Sequence, residues 1–228
     1  MESGYGSIPS LPCFSPKVLG AEGSIWLPIA PGCNLECSFC SRRLGAASGT
    51  MVPGVPLAPD DAVQRIVDEV EQGNGQRGVV IWGPGEPLLA ASTYVVLRRL
   101  SWLYPDLDLT VCTNGLLLPE RLEDLVRSGT KRLVVSVNAL TPDTASQIYQ
   151  SASYRARTYE GRDAGELVLQ QQWNGLSNAV EAGLAVTAYV AVIPGVNDHE
   201  TDAIRAKAEA VGAERVVTVM LEPLAARA

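Results

Sequence analysis

Six short, mostly apolar runs recur along this 228-residue chain, each followed by a stretch with helical spacing. That alternation constrains the fold more than any other feature. The runs are SIWLPI (24–29), GVVIW (78–82), LDLTVC (107–112), RLVVSV (132–137), AVTAYVAVI (185–193) and RVVTVM (215–220). Helical patterns fall near 59–72, 89–103, 119–128, 142–149, 163–182 and 199–211. Strands apolar on both faces need cover on both, and parallel strands need long crossovers of the kind a helix supplies. The expectation is an α/β fold, a parallel sheet covered by helices and curved into a partial (βα)6 TIM-like barrel. Its active site would lie at the C-terminal ends of the strands. The helix at 59 opens with PDDAV, where Pro59 or Asp60 is expected to cap it.

The rest of the composition narrows the function classes. With 46% hydrophobic residues the chain can bury a core of its own. The division expected is an N-terminal extension over 1–20 and a core domain over 21–228. A net charge of −7 argues against a sequence-independent grip on nucleic acid. No apolar stretch approaches the ~20 residues that cross a bilayer, and MESGYGSIPS lacks the regions of a secretory signal. A cytoplasmic location away from membranes is expected.

Five cysteines at uneven spacing fit metal binding or catalysis better than a disulfide framework. Three of them, Cys33, Cys37 and Cys40, sit in PGCNLECSFCSRR (31–43), directly after the first apolar run. C-x3-C-x2-C supplies three thiolates from one loop and leaves a fourth position open. A structural zinc wants four ligands and would have to recruit a distant one. An iron–sulfur cube with one open iron suits three thiolates better, because a small chelator can take the vacant corner. Three buried, unreactive cysteines are the plain alternative.

C-x3-C-x2-C after a first strand, with the aromatic Phe39 before the last cysteine, resembles the signature of radical S-adenosylmethionine (SAM) enzymes. The resemblance implies that Cys33, Cys37 and Cys40 hold a [4Fe-4S] cluster whose fourth iron is chelated by SAM. Other strand-end motifs fit it. GPGEP (83–87) is similar to the family's glycine-rich loop, which implies that Gly83, Gly85 and Glu86 receive the SAM amino group; a tight turn is the local alternative. CTNG (112–115) and SVNA (136–139) follow the third and fourth strands. There Thr113, Asn114, Ser136 and Asn138 would approach the SAM ribose and carboxylate, with Ser136 and Asn138 on one strand face. VIPGVND (192–198) is similar to the family's adenine contact through the backbone of Ile193; a Pro-Gly turn with an Asn-Asp cap is the alternative.

The order of PCF (12–14), LPIAPGCNLECSFCSRR (27–43), WGPGEPL (82–88), CTNGLLLPE (112–120), VNALTPDTASQIY (137–149), YEGRDAGELVLQQQWNGL (159–176) and IPGVNDHE (193–200) is similar to the NifB-like nitrogenase cofactor maturases. That branch donates a methyl group to a cluster sulfide and generates a 5′-deoxyadenosyl radical. This sequence departs from the pattern in several places. Leu11 stands where a His precedes PCF, LGAASGTMVPGV carries no cysteine, Thr110 occupies an expected cysteine position, and LEPLAARA replaces a C-terminal C-x2-C. Cys13 and Cys112 are the spare thiols, or small buried hydrophobes. The resemblance therefore implies a shortened relative that reductively cleaves SAM, with an electron donor such as ferredoxin or flavodoxin and a small-molecule or metallocluster substrate. Methyl transfer to sulfur and a non-catalytic iron–sulfur carrier are the alternatives.

Other residues carry weaker signals. Trp82 either stacks on a ligand or fills the core. Arg155, Arg157 and Arg162 in YRARTYEGR either grip an anion or form a solvated surface. His199, the single histidine, is expected to cap or pair at a helix start, with proton donation or cluster ligation as its functional reading.

Overall fold

The computed structural model describes residues 23–40, 56–73 and 78–221. Leu11, Cys13, the expected 1–20 extension and the LGAASGTMVPGV stretch lie outside the described residues. The elements run β1 (Ile25–Pro28), β2 (Leu35–Cys37), α1 (Pro59–Glu71), β3 (Gly78–Trp82), α2 (Ala91–Leu103), β4 (Asp108–Thr113), α3 (Leu118–Arg127), β5 (Arg132–Ser136), α4 (Pro142–Ile148), β6 (Tyr149–Tyr154), β7 (Arg157–Glu160), α5 (Gly161–Glu181), β8 (Ala185–Val192), α6 (Thr201–Val211) and β9 (Arg215–Met220).

The six expected strands form one sheet in the order β1-β3-β4-β5-β8-β9, and every pair in it is parallel. Register and the period of two sort their side chains onto two faces. Leu109 and Val135 point toward the helices: Leu109 approaches Gly129 at the end of α3, and Val135 approaches Gly115, which also lies against Gln172 of α5. Trp82, Cys112 and Ser136 lie on the opposite, concave face, with Cys112 beside Val134 and Trp82 one register step beyond Ile81–Val111. Thr110 shares that face with Cys112. Burial on both faces is why these strands read as continuous apolar runs.

Local chemistry accounts for the helices. In α1 the buried set Ala62, Val63 and Ile66 follows helical spacing. Its N-cap is Ala58 with no side-chain cap bond, so neither Pro59 nor Asp60 caps it. Pro59 occupies the first helical turn, where its missing N–H costs nothing, and Asp60 and Asp61 face the positive end of the dipole. In α5 the buried stripe includes Ala164, Val168, Leu169, Gln172, Trp173, Leu176 and Ala179.

A second sheet, absent from the sequence expectation, is antiparallel with order β2-β6-β7. Its strands are short and mixed in polarity, so no period-two signal marks them. The β6–β7 hairpin turns at Arg155 and Ala156, both at positive φ (49° and 60°) without the glycine or asparagine that would announce such a turn. This sheet lies next to the cysteine loop and decides its shape.

Candidate functional site

The cysteine loop is held on two sides. On one, it docks against the loop after β3. Ile29 N–H donates to Trp82 O (2.9 Å), Gly85 N–H to Ala30 O (2.9 Å) and Glu86 N–H to Gly32 O (2.7 Å). The approach is so close that a Cβ on Gly85 would stand 1.9 Å from Gly32 O, and one on Gly83 2.7 Å from Ala30 O. Both glycines thus serve the docking of loop on loop. On the other side, Leu35 pairs with Ala152 and Cys37 with Tyr149 across a bulge between Glu36 and Cys37. Ser153 N–H donates to Asn34 O and Ser38 N–H to Ile148 O, both at 2.8 Å. Phe39 is buried and anchors the turn that carries Cys40.

Among the described residues Cys33, Cys37 and Cys40 form no disulfide and are partly exposed, whereas Cys112 is buried. Among the described residues no three His, Cys, Asp or Glu side chains are grouped to hold a single ion.

Cys33 opens onto a cleft at the strand ends, lined also by Trp82, Gly83, Gly85, Glu86, Cys112, Thr113, Asn114 and Ser136. The cleft encloses about 310 Å³, part of it open solvent. Glu86 is 1% exposed, and its carboxylate accepts from Thr113 Oγ1 (2.6 Å), Asn114 N–H (2.7 Å) and Leu88 N–H (2.9 Å). Burial pushes its pKa up to about 7 against the pull of those donors. Burial also raises the Cys112 thiol, with the Glu86 carboxylate adding to the effect.

Two expected SAM contacts are engaged elsewhere. Strand β5 ends at Ser136, so the period of two does not carry Asn138 onto the cleft wall beside it. Asn138 is buried; its Oδ1 accepts from Ala191 N–H (2.8 Å) and its Nδ2 donates to Tyr149 OH (3.2 Å). Ile193 N–H donates to Asn197 Oδ1 at 2.6 Å, and Ile193 O accepts from Val196 N–H at 3.0 Å.

The arginine stretch forms a hairpin and the start of a helix. Arg155 pairs with Glu120, and Arg162 with Asp143 and Glu166, while Arg157 lies over the Tyr159 ring at 5.6 Å. His199 is exposed beside Asp198 and Glu200, at the 3.9–4.0 Å edge of ion-pair range. Trp82 both lines the cleft and packs edge-on against Trp26, with ring centroids 6.1 Å apart.

Sequence reasoning missed Gln172, Tyr149 and Glu200. Gln172 is fully buried and donates to Asn114 O (2.8 Å) and Tyr149 OH (3.1 Å). A polar residue on the apolar stripe between Val168 and Leu176 was the available signal. Glu200 accepts from Leu140 N–H (2.7 Å), Thr141 Oγ1 (2.7 Å) and Thr144 Oγ1 (2.8 Å), tying the loop after β8 to the loop after β5.

Asn34, 5% exposed and next to Cys33, carries an amide nitrogen that meets no acceptor among the described residues. A buried donor without an acceptor costs folding free energy, and a sulfide-bearing group at Cys33 would relieve it. The cysteines and this donor fit a cluster. The family model for the radical SAM superfamily matches residues 27–208. The chain belongs to the radical SAM superfamily.

Radical SAM proteins bind a [4Fe-4S] cluster and SAM. The FeMo cofactor biosynthesis protein NifB of Klebsiella pneumoniae is 35% identical to this radical SAM chain over 207 residues, covering 89% of this chain and 44% of that protein. The protein of the same name from Methanocaldococcus infernus is 31% identical over 192 residues, 82% of this chain and 64% of that one. The chain thus spans less than two thirds of the length of these relatives. Among solved structures, SuiB of Streptococcus suis bound to S-adenosylmethionine superposes with a TM-score of 0.62 at 17% identity, over 88% of this chain and 40% of that one. AnSMEcpe with bound AdoMet gives 0.54 at 15%, over 87% and 51%. These likenesses bear on the fold, and they agree with a partial barrel. No helix among the described residues is long and apolar enough to cross a membrane.

Proposed function

We propose that this chain is a NifB-like radical SAM enzyme, in which Cys33, Cys37 and Cys40 hold the [4Fe-4S] cluster and the cleft beside Cys33 receives SAM. When bound, the cluster supplies one electron to the sulfonium, giving methionine and a 5′-deoxyadenosyl radical. The single observation that carries the reading is the docking of the three-cysteine loop onto the GPGEP loop, which opens Cys33 onto a cleft at the strand C-terminal ends.

The chain's own residues bind, orient and shield. Glu86 presents a carboxylate at the cleft wall for a cationic amino group, and fixes Thr113 and Asn114 through its hydrogen bonds. Ser136 adds a hydroxyl on the same wall for a ribose or carboxylate oxygen. Asn138 and Ile193 act one step back, setting the loops after β5 and β8. The concave face beneath, with Trp82 and the neutral Cys112 thiol, excludes water from the place where hydrogen abstraction would occur.

The substrate is a small molecule or a metallocluster, by likeness to NifB, and the reductant is an electron donor such as ferredoxin or flavodoxin. Anaerobic reconstitution with iron and sulfide, then dithionite and SAM, tests this directly. Uptake of about four irons per chain and release of 5′-deoxyadenosine are expected, and both should vanish in Cys33→Ala, Cys37→Ala and Cys40→Ala. S-adenosylhomocysteine among the products would identify methyl transfer. A loaded chain that leaves SAM intact would be a carrier, and the enzyme reading would fall.

A further inference from the structure

Asn114 has a second function available that its place on the cleft wall does not require. Every hydrogen-bonding group of this residue is engaged. Its N–H donates to Glu86 Oε2 (2.7 Å), its C=O accepts from Gln172 Nε2 (2.8 Å), and its Oδ1 accepts from Leu116 N–H (3.0 Å). The last bond settles the side-chain orientation, because a backbone N–H must face the amide oxygen and not the nitrogen. The Nδ2 is thereby aimed back across the cysteine loop, with Asn34 Oδ1 at 2.9 Å and Cys33 Sγ at 3.6 Å. An NH2 group has two protons, one for each acceptor.

We propose that Asn114 donates an N–H···S hydrogen bond to the cluster thiolate of Cys33 and thereby raises the reduction potential of the cluster. The inference rests on the cluster reading above. A hydrogen bond to a ligating sulfur stabilises negative charge there, and that charge is greater in the reduced state. The donor is preorganised: its backbone is fixed from below by Gln172 and from the side by Glu86, so little reorganisation accompanies cluster binding or reduction. A purely local turn would need only the bond from Leu116 to Oδ1. It gives no reason for the amide nitrogen to meet a sulfur far away in sequence.

The test compares the reconstituted wild type with Asn114→Asp, which keeps the oxygen facing Leu116 and loses the donor, and Asn114→Ala, which loses the donor without adding charge. Iron content, the midpoint potential from an EPR-monitored redox titration without SAM, and pulsed EPR after exchange into D2O are measured. Both variants should load iron as the wild type does, show a more negative midpoint potential, and lose one exchangeable-proton coupling. A potential in Asn114→Ala at or above that of the wild type would overturn the proposal. If Asn114→Ala fails to load, the proton coupling in Asn114→Asp decides: retained, it overturns the proposal; lost, it supports it. A wild type that takes up no cluster removes the parent reading and the inference together, whereas a loaded wild type with unmoved variants removes the inference alone.

Discussion

Glu86 shows how one buried carboxylate can serve structure and site together. Its two oxygens accept three donors from the loops after β3 and β4, yet burial still raises its pKa from 4.5 to about 7. The folded state therefore holds a proton there that the unfolded chain has released over that range. The stabilising contribution is full below about pH 4.5 and is lost as pH rises through about 7. Cluster-free protein should lose up to about 3 kcal/mol from this group between pH 4.5 and 7.5, read from urea midpoints. In Glu86→Gln that slope should flatten. The variant should also be less stable by about 1–3 kcal/mol at low pH, because the amide NH2 faces the Asn114 N–H or leaves other donors unmet. An unchanged slope would show that another group titrates.

At the scale of elements, the small β2-β6-β7 sheet is what shapes the cysteine loop, since the pairing of Cys37 with Tyr149 continues directly into the hairpin. That hairpin turns through Arg155 and Ala156 in the left-handed region, which costs a residue with a Cβ roughly 1–2 kcal/mol. Ala156 is exposed, so Ala156→Gly removes that strain without opening a cavity. The expected gain is about 1 kcal/mol in denaturant midpoint stability, partly offset by glycine's greater freedom when unfolded. Arg155 is retained in such a variant because it ties the turn to Glu120 at the start of α3.

Across the whole molecule, side chains stitch neighbouring loops at the strand C-terminal ends. Glu86 joins the loops after β3 and β4, while Glu200 and Asn197 join those after β5 and β8. Asn197 is fully buried; it donates to Asn138 O and Ala191 O at 2.8 Å each and accepts from Ile193 N–H. Asn197→Ala should destabilise the fold by about 2–4 kcal/mol, because it leaves buried backbone groups unpaired. Its effect on SAM cleavage should exceed its effect on iron content, since its hydrogen-bond partners Asn138, Ala191 and Ile193 lie on the β5 and β8 side of the site and not on the cysteine loop itself. Equal losses in both would mean that the strand-end loops act as one unit.

Much of this was legible in the chain alone. The order of six apolar runs and six helical stretches determined the parallel sheet, because a period of two or of 3.6 is a local property that any window displays. The C-x3-C-x2-C spacing marked Cys33, Cys37 and Cys40 as candidate cluster ligands for the same reason. Tertiary structure alone decided that Gly83 and Gly85 meet backbone of the cysteine loop, that Asn138 turns away from the cleft, and that Asn114 faces Cys33. Those facts depend on which distant loops the crossovers bring together. The β2 strand forms only because β6, far along the chain, arrives to pair with it, and no local pattern of apolar residues encodes that meeting.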